Sequence, residues 1–277
     1  MLFLRKLCEF YVYGNIHVAI AVWSLTMVTG FFYRINTANS ALFIGLSTFV
    51  AYNWIRYLKY RNASLQETIL IWFNKHKKIL VVLNSIASIY LFLLLFKIKM
   101  NSLWVLMPFA LMTLFYITPI QLTKNKKIAL RKIPIFKIFC ISLSWSGLVV
   151  LFPLTQEAVP IDKSVLLFFV QQFIFVFVLT LPFDIRDVKF DEKTLKTIPQ
   201  LLGINKTRVL GVFATLVFFG ISFYLFSYEN MYSVLFIGVL QLFYLVRSGE
   251  KKSRFYASFW VESVPIVWFL ILKCFGS

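Results

Sequence analysis

Apolar runs of 16 to 23 residues recur along the chain, and the segments between them gather lysine and arginine. The runs are Tyr11–Tyr33, Ala41–Leu58, Ile79–Phe96, Leu103–Ile120, Ile135–Leu154, Val165–Phe183, Val209–Phe226, Met231–Val246 and Phe255–Leu272. A helix that crosses the hydrocarbon of a bilayer needs about 20 mostly apolar residues. The pattern predicts an all-α, polytopic membrane protein of about nine spans, in a single transmembrane domain covering 1–277. Some connectors are short, at Lys97–Ser102 and Ser227–Asn230, and predict tight hairpins on one side. Four are long: Arg56–Lys78, Gln121–Lys137, Asp184–Arg208 and Arg247–Arg254. Together with Arg5 and Lys6 they hold 24 of the 29 basic residues. Basic loops stay on the cytoplasmic side. The N-terminus is therefore expected in the cytoplasm and, with an odd number of spans, the C-terminus outside, in a membrane of the bacterial inner-membrane kind. No small-residue cleavage site follows Met1–Lys6, so the first run reads as a retained span.

Two long loops carry further pattern. In Ser64–Asn74, Ser64 and Glu67 have capping-box spacing ahead of an apolar run. Asp191–Leu202 mixes polar and apolar residues before Gly203. Both predict short helices lying over the cytoplasmic face, four spans apart, a spacing that hints at an internal repeat.

Composition agrees with the spans. Hydrophobic residues make up 60% of the chain and charged ones 14%, with a mean hydropathy of +0.80. A soluble surface needs more charge than that. The net charge of +18 is dispersed between apolar runs, with no soluble aromatic platform, which argues against nucleic acid as a partner. Cys8, Cys140 and Cys274 are isolated and odd in number, and read as small apolar side chains rather than a disulfide framework. His17 and His76 are too far apart to suggest a metal site.

The densest candidate chemistry lies in Leu181–Asp191, where Asp184, Asp187 and Asp191 stand at offsets that share one helical face. Arg186 and Lys189 are expected on other faces, leaving the aspartates un-neutralised. Carboxylates crowded at a membrane boundary call for a cation, and an all-oxygen set suits Mg²⁺. Mg²⁺ in turn suits a diphosphate. Glu262 lies inside the last run, where a carboxylate needs a cavity or a partner. Asn15, His17, Asn84, Gln171 and Gln172 also sit within runs, where interhelical hydrogen bonding is the commoner role. Most of the 32 Phe are expected to face lipid.

Asp184–Gly203 resembles the second aspartate-rich region of the UbiA-type intramembrane prenyltransferases. The family's N/D-x-x-R-D-x-x-x-D element corresponds to Asp184, Arg186, Asp187 and Asp191, and its T-L-P-x-x-L-G-like element to Thr197–Gly203. Tyr116-Ile117-Thr118-Pro119 with the basic residues after it, and Leu130–Pro134 leading to Trp145, are similar to the family's connection between spans four and five. The nine-span layout is similar as well. The first motif departs: the family's N-D-x-x-D-x-x-x-D falls on Asn53–Arg61, where Asn53 matches but Trp54, Tyr57 and Arg61 hold the aspartate positions.

The resemblance implies transfer of an isoprenyl group from its diphosphate to a small acceptor. It implies Mg²⁺ held by Asp187 and Asp191 with Asp184 assisting, and the missing aspartates of the first motif predict one ion rather than two. Asn53, Arg56, Arg61, Lys124, Arg131 and Arg186 form the expected diphosphate-binding set. Asn53, Arg56, Tyr57 and Tyr60 share a helical face, so Arg56 is expected to replace a metal-bound aspartate with a direct phosphate contact. Two alternatives stay open on the residues: a non-catalytic binder of an isoprenoid or lipid, and a transporter.

Overall fold

The computed structural model describes residues 2–61, 67–117, 120–123, 126–128, 133, 135–191, 193–226 and 228–276, without the side chains of 2–3, 67–68, 117, 120–123, 126–128, 193 and 228–229. The first expected span is two helices, α1 (Leu2–Tyr13) and α2 (Ile16–Tyr33). They break at Gly14-Asn15. Asn15 has φ 61°, a conformation that asparagine tolerates better than most residues, and a Cβ on Gly14 would sit 2.5 Å from the Phe10 carbonyl oxygen. The first run thus enters the bundle at Ile16 rather than Tyr11.

There follow α3 (Ala38–Arg61), α4 (Glu67–Leu95) and α5 (Met100–Ile117). A small antiparallel hairpin, β1 (Ile120–Thr123) and β2 (Lys126–Ile128), occupies part of the fourth-to-fifth loop. Next come α6 (Phe136–Ser146) and α7 (Phe152–Gln156), joined by a π turn at Gly147–Leu151. The chain ends with α8 (Lys163–Asp187), α9 (Ile198–Leu202), α10 (Ile204–Leu225), α11 (Tyr228–Arg247) and, after a second π turn at Tyr256–Val261, α12 (Val264–Phe275).

Each of the nine expected runs is mostly helical among the described residues, although the first is broken at Gly14-Asn15 and Ile120, at the end of the fourth, lies in β1. Among the described residues seven stretches are long and apolar enough to cross a membrane: Ile16–Tyr33, Ile69–Leu95, Phe136–Gln156, Lys163–Asp187, Ile204–Leu225, Asn230–Arg247 and Tyr256–Phe275. Met100–Tyr116 is apolar but shorter. The helix α3 has the length, but its C-terminal end carries Arg56, Lys59 and Arg61.

The two expected cap helices differ from expectation. Ser64 lies outside the described residues, and the Ser64–Asn74 segment is not a separate cap: from Glu67 it runs unbroken into α4. No breaker separates Asn74 from Ile79, so the two apolar patterns fuse into one rod. The second cap is divided into a 3₁₀ turn, Lys193–Leu195, and α9. Pro199 suits the first turn of α9, and the Gln200 side chain accepts from the Thr197 N–H at 3.0 Å.

The bundle centres on α2 and α8. The former packs on α3 and α12, the latter on α6 and α10. Trp268 is fully buried, with its ring centroid 5.1 Å from Phe175 and 5.9 Å from Phe32. By contrast α4 is peripheral and shows Val81, Val82, Ile86, Ile89 and Phe92 outward. Such a flank is stable only against hydrocarbon. The phenylalanines divide accordingly: Phe168, Phe175 and Phe218 are interior, whereas Phe96, Phe213 and Phe223 face out.

Candidate functional site

The acidic run marks the C-terminal end of α8. Pro182 lies inside that helix, where a missing N–H weakens the backbone ladder, and α8 stops at Asp187. The chain then turns, with the N–H groups of Phe190 and Asp191 both donating to the Asp187 carbonyl at 2.8 Å. Asp191 therefore reaches its place through a turn and not through a continued helical face.

What lies between these carboxylates is a lysine from another helix. Lys137, in the first turn of α6, places Nζ 2.9 Å from Asp184 Oδ1 and 3.1 Å from Asp191 Oδ2. Asp187 is held differently: Arg186 Nε and Nη2 donate to its two oxygens at 2.7 Å each. This corrects the expectation that Arg186 points away from the aspartates. Adjacent residues leave a helix about 100° apart and do not face each other, but Asp187 is the last helical residue and the guanidinium fork is long enough to fold back onto it. The planar fork matches a carboxylate edge to edge. Arg186 also donates through Nη1 to the Arg254 carbonyl at 3.4 Å and to Ser258 Oγ at 3.3 Å. Lys189 does point away, to Glu250 at 2.6 Å on the surface.

A second wall comes from the α1–α2 break. Asn53 is buried, donates to the carbonyls of Gly14 and Phe49 at 3.1 Å each, and accepts from Asn15 Nδ2 at 2.9 Å. Asn15 Oδ1 accepts from Arg56 Nη2 at 2.8 Å. The three side chains form one relay that pins the break and orients the guanidinium. Arg56 Nη1 is buried with no hydrogen-bond partner among the described residues. An N–H of that kind is costly unless something meets it.

Electrostatic neighbours join the two walls. Glu262, at the junction of the second π turn and α12, lies within Coulombic reach of both Arg56 and Arg186. It also acts on Tyr11 and Tyr52. Tyr52 lies beside the Trp145 indole and neighbours Tyr116, which in turn neighbours Lys137. Arg254 closes the circuit towards Arg56, Arg186 and Asp187; burial and the like charge of Arg186 push its guanidinium below the usual arginine range. The circuit gathers side chains of α1, α3, α5, α6 and α8 and of the segment leading into α12.

Asp184, Asp187, Asp191, Arg186, Asn53, Arg56 and Glu262 are thus brought to one end of the bundle. Arg61 is exposed at the tip of α3. Tyr57 is exposed and stacks on Trp54 with centroids 5.7 Å apart, and Tyr60 packs on Phe73 at 5.0 Å. The face shared by Asn53, Arg56, Tyr57 and Tyr60 is therefore split, since a helix buried between neighbours presents only a narrow stripe to the interior. Lys124 and Arg131 lie outside the described residues. Lys137, Arg254 and Tyr52 were not singled out in the sequence. A basic residue at the start of a span reads there as ordinary positive-inside charge, and no local pattern ties Lys137 to an aspartate 54 residues away.

The remaining polar candidates serve packing. Gln171 Nε2 donates to Ser222 Oγ at 2.7 Å and Gln172 Nε2 to Gln171 Oε1 at 3.1 Å. Asn84 donates to the Leu80 carbonyl of its own helix at 2.8 Å. His17 Nε2 bonds the Phe259 carbonyl at 2.9 Å, and its ring stacks on Phe259. Cys8, Cys140 and Cys274 are free thiols.

Among the described residues no three His, Cys, Asp or Glu side chains gather as a ready metal cage. Asp184 and Asp191 nevertheless fit a single hard cation. Both offer oxygen, and they already converge on one positive charge, the Lys137 ammonium.

No family model matches the sequence, and no curated protein matches it. A solved structure does match the fold: a UbiA homolog from Archaeoglobus fulgidus, described as bound to GPP and Mg²⁺, superposes with a TM-score of 0.63 over 96% of this chain and 99% of that one, at 11% identity. At that identity the likeness is one of backbone architecture, and it extends over almost the full length of both proteins. The chain therefore has the UbiA-type fold.

Proposed function

We propose that this protein binds an isoprenyl diphosphate at the cytoplasmic end of the bundle and transfers the isoprenyl group to a small acceptor within the membrane. The observation that carries this reading is the convergence of Asp184, Asp191, Lys137, Arg186 and Arg56 on one polar circuit in an otherwise apolar bundle. Polar groups gathered at such a boundary need a charged ligand to repay their desolvation. A diphosphate offers the acceptor oxygens that Arg56 and Arg186 can meet. The GPP and Mg²⁺ of the A. fulgidus homolog support the same ligand class.

One Mg²⁺ on Asp184 and Asp191, when bound, supplies charge neutralisation of the departing diphosphate. The protein's own part is preorganised. Arg56, anchored through Asn15 and Asn53, and Arg186, anchored on Asp187, present fixed donors where negative charge grows as the C–O bond breaks and its electron pair leaves with the diphosphate. The allylic cation then gains a bond from the acceptor, which loses a proton, and the base this reading assigns is Glu262, the carboxylate that interacts with Arg56 and Arg186. A second reading, a binder that performs no transfer, draws support from the first motif. Trp54 and Tyr57 occupy aspartate positions and stack on each other at the exposed side.

Purified protein is expected to bind GPP more tightly with Mg²⁺ than without, and to release inorganic diphosphate when an acceptor is supplied. Binding without release across a panel of phenolic and lipid acceptors favours the second reading; no binding removes both.

The expected topology belongs to the same reading. With most of the basic residues on one side, the N-terminus and long loops are cytoplasmic and the C-terminus outside, in a bacterial-type inner membrane. A phosphatase reporter fused after the last residue is expected to be active, and a fluorescent cytoplasmic reporter there dark. The opposite pattern reverses the orientation.

A further inference from the structure

On the reading of this site as one for an isoprenyl diphosphate, we propose that Lys137 is an internal counter-ion that a divalent cation displaces, and that the displaced ammonium then engages the diphosphate. Asp184 and Asp191 would repel each other if left bare, with side chains only 5% and 21% exposed. The Lys137 ammonium, itself 22% exposed, sits between them as a single positive charge. Its location is unfavourable for a purely structural ion pair. A cation in the first turn of α6 opposes the helix macrodipole. The two carboxylates draw it there against that dipole.

The parts are built for exchange. An ammonium on a four-carbon stem is a mobile point charge, unlike the fixed guanidinium fork. The stem swings without unfolding α6. Asp191 stays in place when Nζ leaves, because the turn after it is docked separately: the Ile135 N–H donates to the Leu195 carbonyl at 3.2 Å, and Gln200 Nε2 donates to the Asp191 carbonyl at 3.1 Å. With Lys137 in place the two carboxylates and the ammonium carry one net negative charge. A divalent cation in its stead cancels both carboxylates and frees one positive charge beside the site. That charge needs an anion, and the diphosphate provides one. Metal and diphosphate therefore support each other, and the coupling is reciprocal.

The test uses Mn²⁺ as a spectroscopic stand-in for Mg²⁺, with free Mn²⁺ read by electron paramagnetic resonance, on the purified full-length protein. In the absence of any diphosphate, Lys137→Met is expected to bind Mn²⁺ about tenfold more tightly than the native protein, because nothing has to be displaced. Lys137→Arg is expected to bind it more weakly, since the fork satisfies both carboxylates at once. With Mn²⁺ present, GPP is expected to bind less tightly to Lys137→Met than to the native protein. Thermal unfolding keeps the test readable if Lys137→Met is less stable, because Mn²⁺ should then raise its midpoint more than that of the native protein. Mn²⁺ affinity that is unchanged or lower in Lys137→Met, or absent in every variant, overturns the proposal. If Mn²⁺ follows residue 137 as expected but GPP never binds, the reading of the ligand fails and the counter-ion stands. If GPP binds and Mn²⁺ ignores residue 137, the counter-ion fails and the ligand stands.

Discussion

Arg56→Ala is expected to weaken GPP binding at least about tenfold, the effect of removing a charge-assisted contact worth about 2 kcal/mol. Two features of Arg56 set that magnitude. Nη2 is committed to Asn15 at 2.8 Å, so the guanidinium is already oriented and loses little freedom when a ligand arrives. Nη1 is buried without a partner, so the free protein bears a penalty that a phosphate oxygen relieves. Arg56→Lys should recover only part of the loss, because one ammonium cannot both reach Asn15 and meet the ligand in the fork geometry. Arg61→Ala is the control, since Arg61 is exposed at the helix tip. Isothermal titration with GPP and Mg²⁺ measures all three. Binding unchanged in Arg56→Ala sinks the role of Arg56 and leaves its relay with Asn15 as a structural clasp. A smaller loss is expected in Asn15→Ala, which leaves the guanidinium in place but no longer oriented.

Asp184→Ala is expected to abolish the Mg²⁺-dependent part of GPP binding, and Asp191→Ala to do nearly the same. These two carboxylates share one cation, and a divalent ion with a single protein oxygen left is held poorly. Asp184→Ala should also cost about 1–3 kcal/mol of stability, with the lower part favoured because Lys137 keeps Asp191 and some solvent. Asp187→Ala should act less strongly and by another route: it frees Arg186 from the paired bonds at 2.7 Å that position it. Lys189→Ala should be close to native, because its ion pair with Glu250 involves a side chain 63% exposed, worth about 0–1 kcal/mol. GPP titrations with and without Mg²⁺ separate these cases. Equal losses in Asp184→Ala, Asp187→Ala and Lys189→Ala would rule out a cation held by Asp184 and Asp191.

Much of the architecture was legible in the linear pattern. Partition between hydrocarbon and water is decided residue by residue, so the apolar runs located the seven long apolar helices of the bundle. The crowding of Asp184, Asp187 and Asp191 at the end of such a run located the candidate site for the same reason, since charge there is expensive and seldom incidental. The resemblance of Asp184–Gly203 to one family's motif pointed to the fold that the superposition shows. The α1–α2 break was harder to see. Gly14-Asn15 is a turn signal, but it stands inside an apolar run whose hydropathy hides it.

Which groups meet was decided only by tertiary structure. Arg56 reaches Asn15 across 41 residues and Lys137 reaches Asp191 across 54, distances at which local periodicity carries no information. The same local view placed Arg186 away from Asp187, because periodicity shows where side chains leave a helix and not how far a guanidinium folds back. It also put Arg56 and Tyr57 on one functional face, whereas packing against α2 and α4 admits Arg56 and turns Tyr57 outward. The sequence by itself determined which segments enter the membrane and where charge collects, since both follow from the solvation of single residues. The folded bundle decided which charges neutralise one another and which N–H is left for a ligand, since pairing depends on distances between helices that only packing sets.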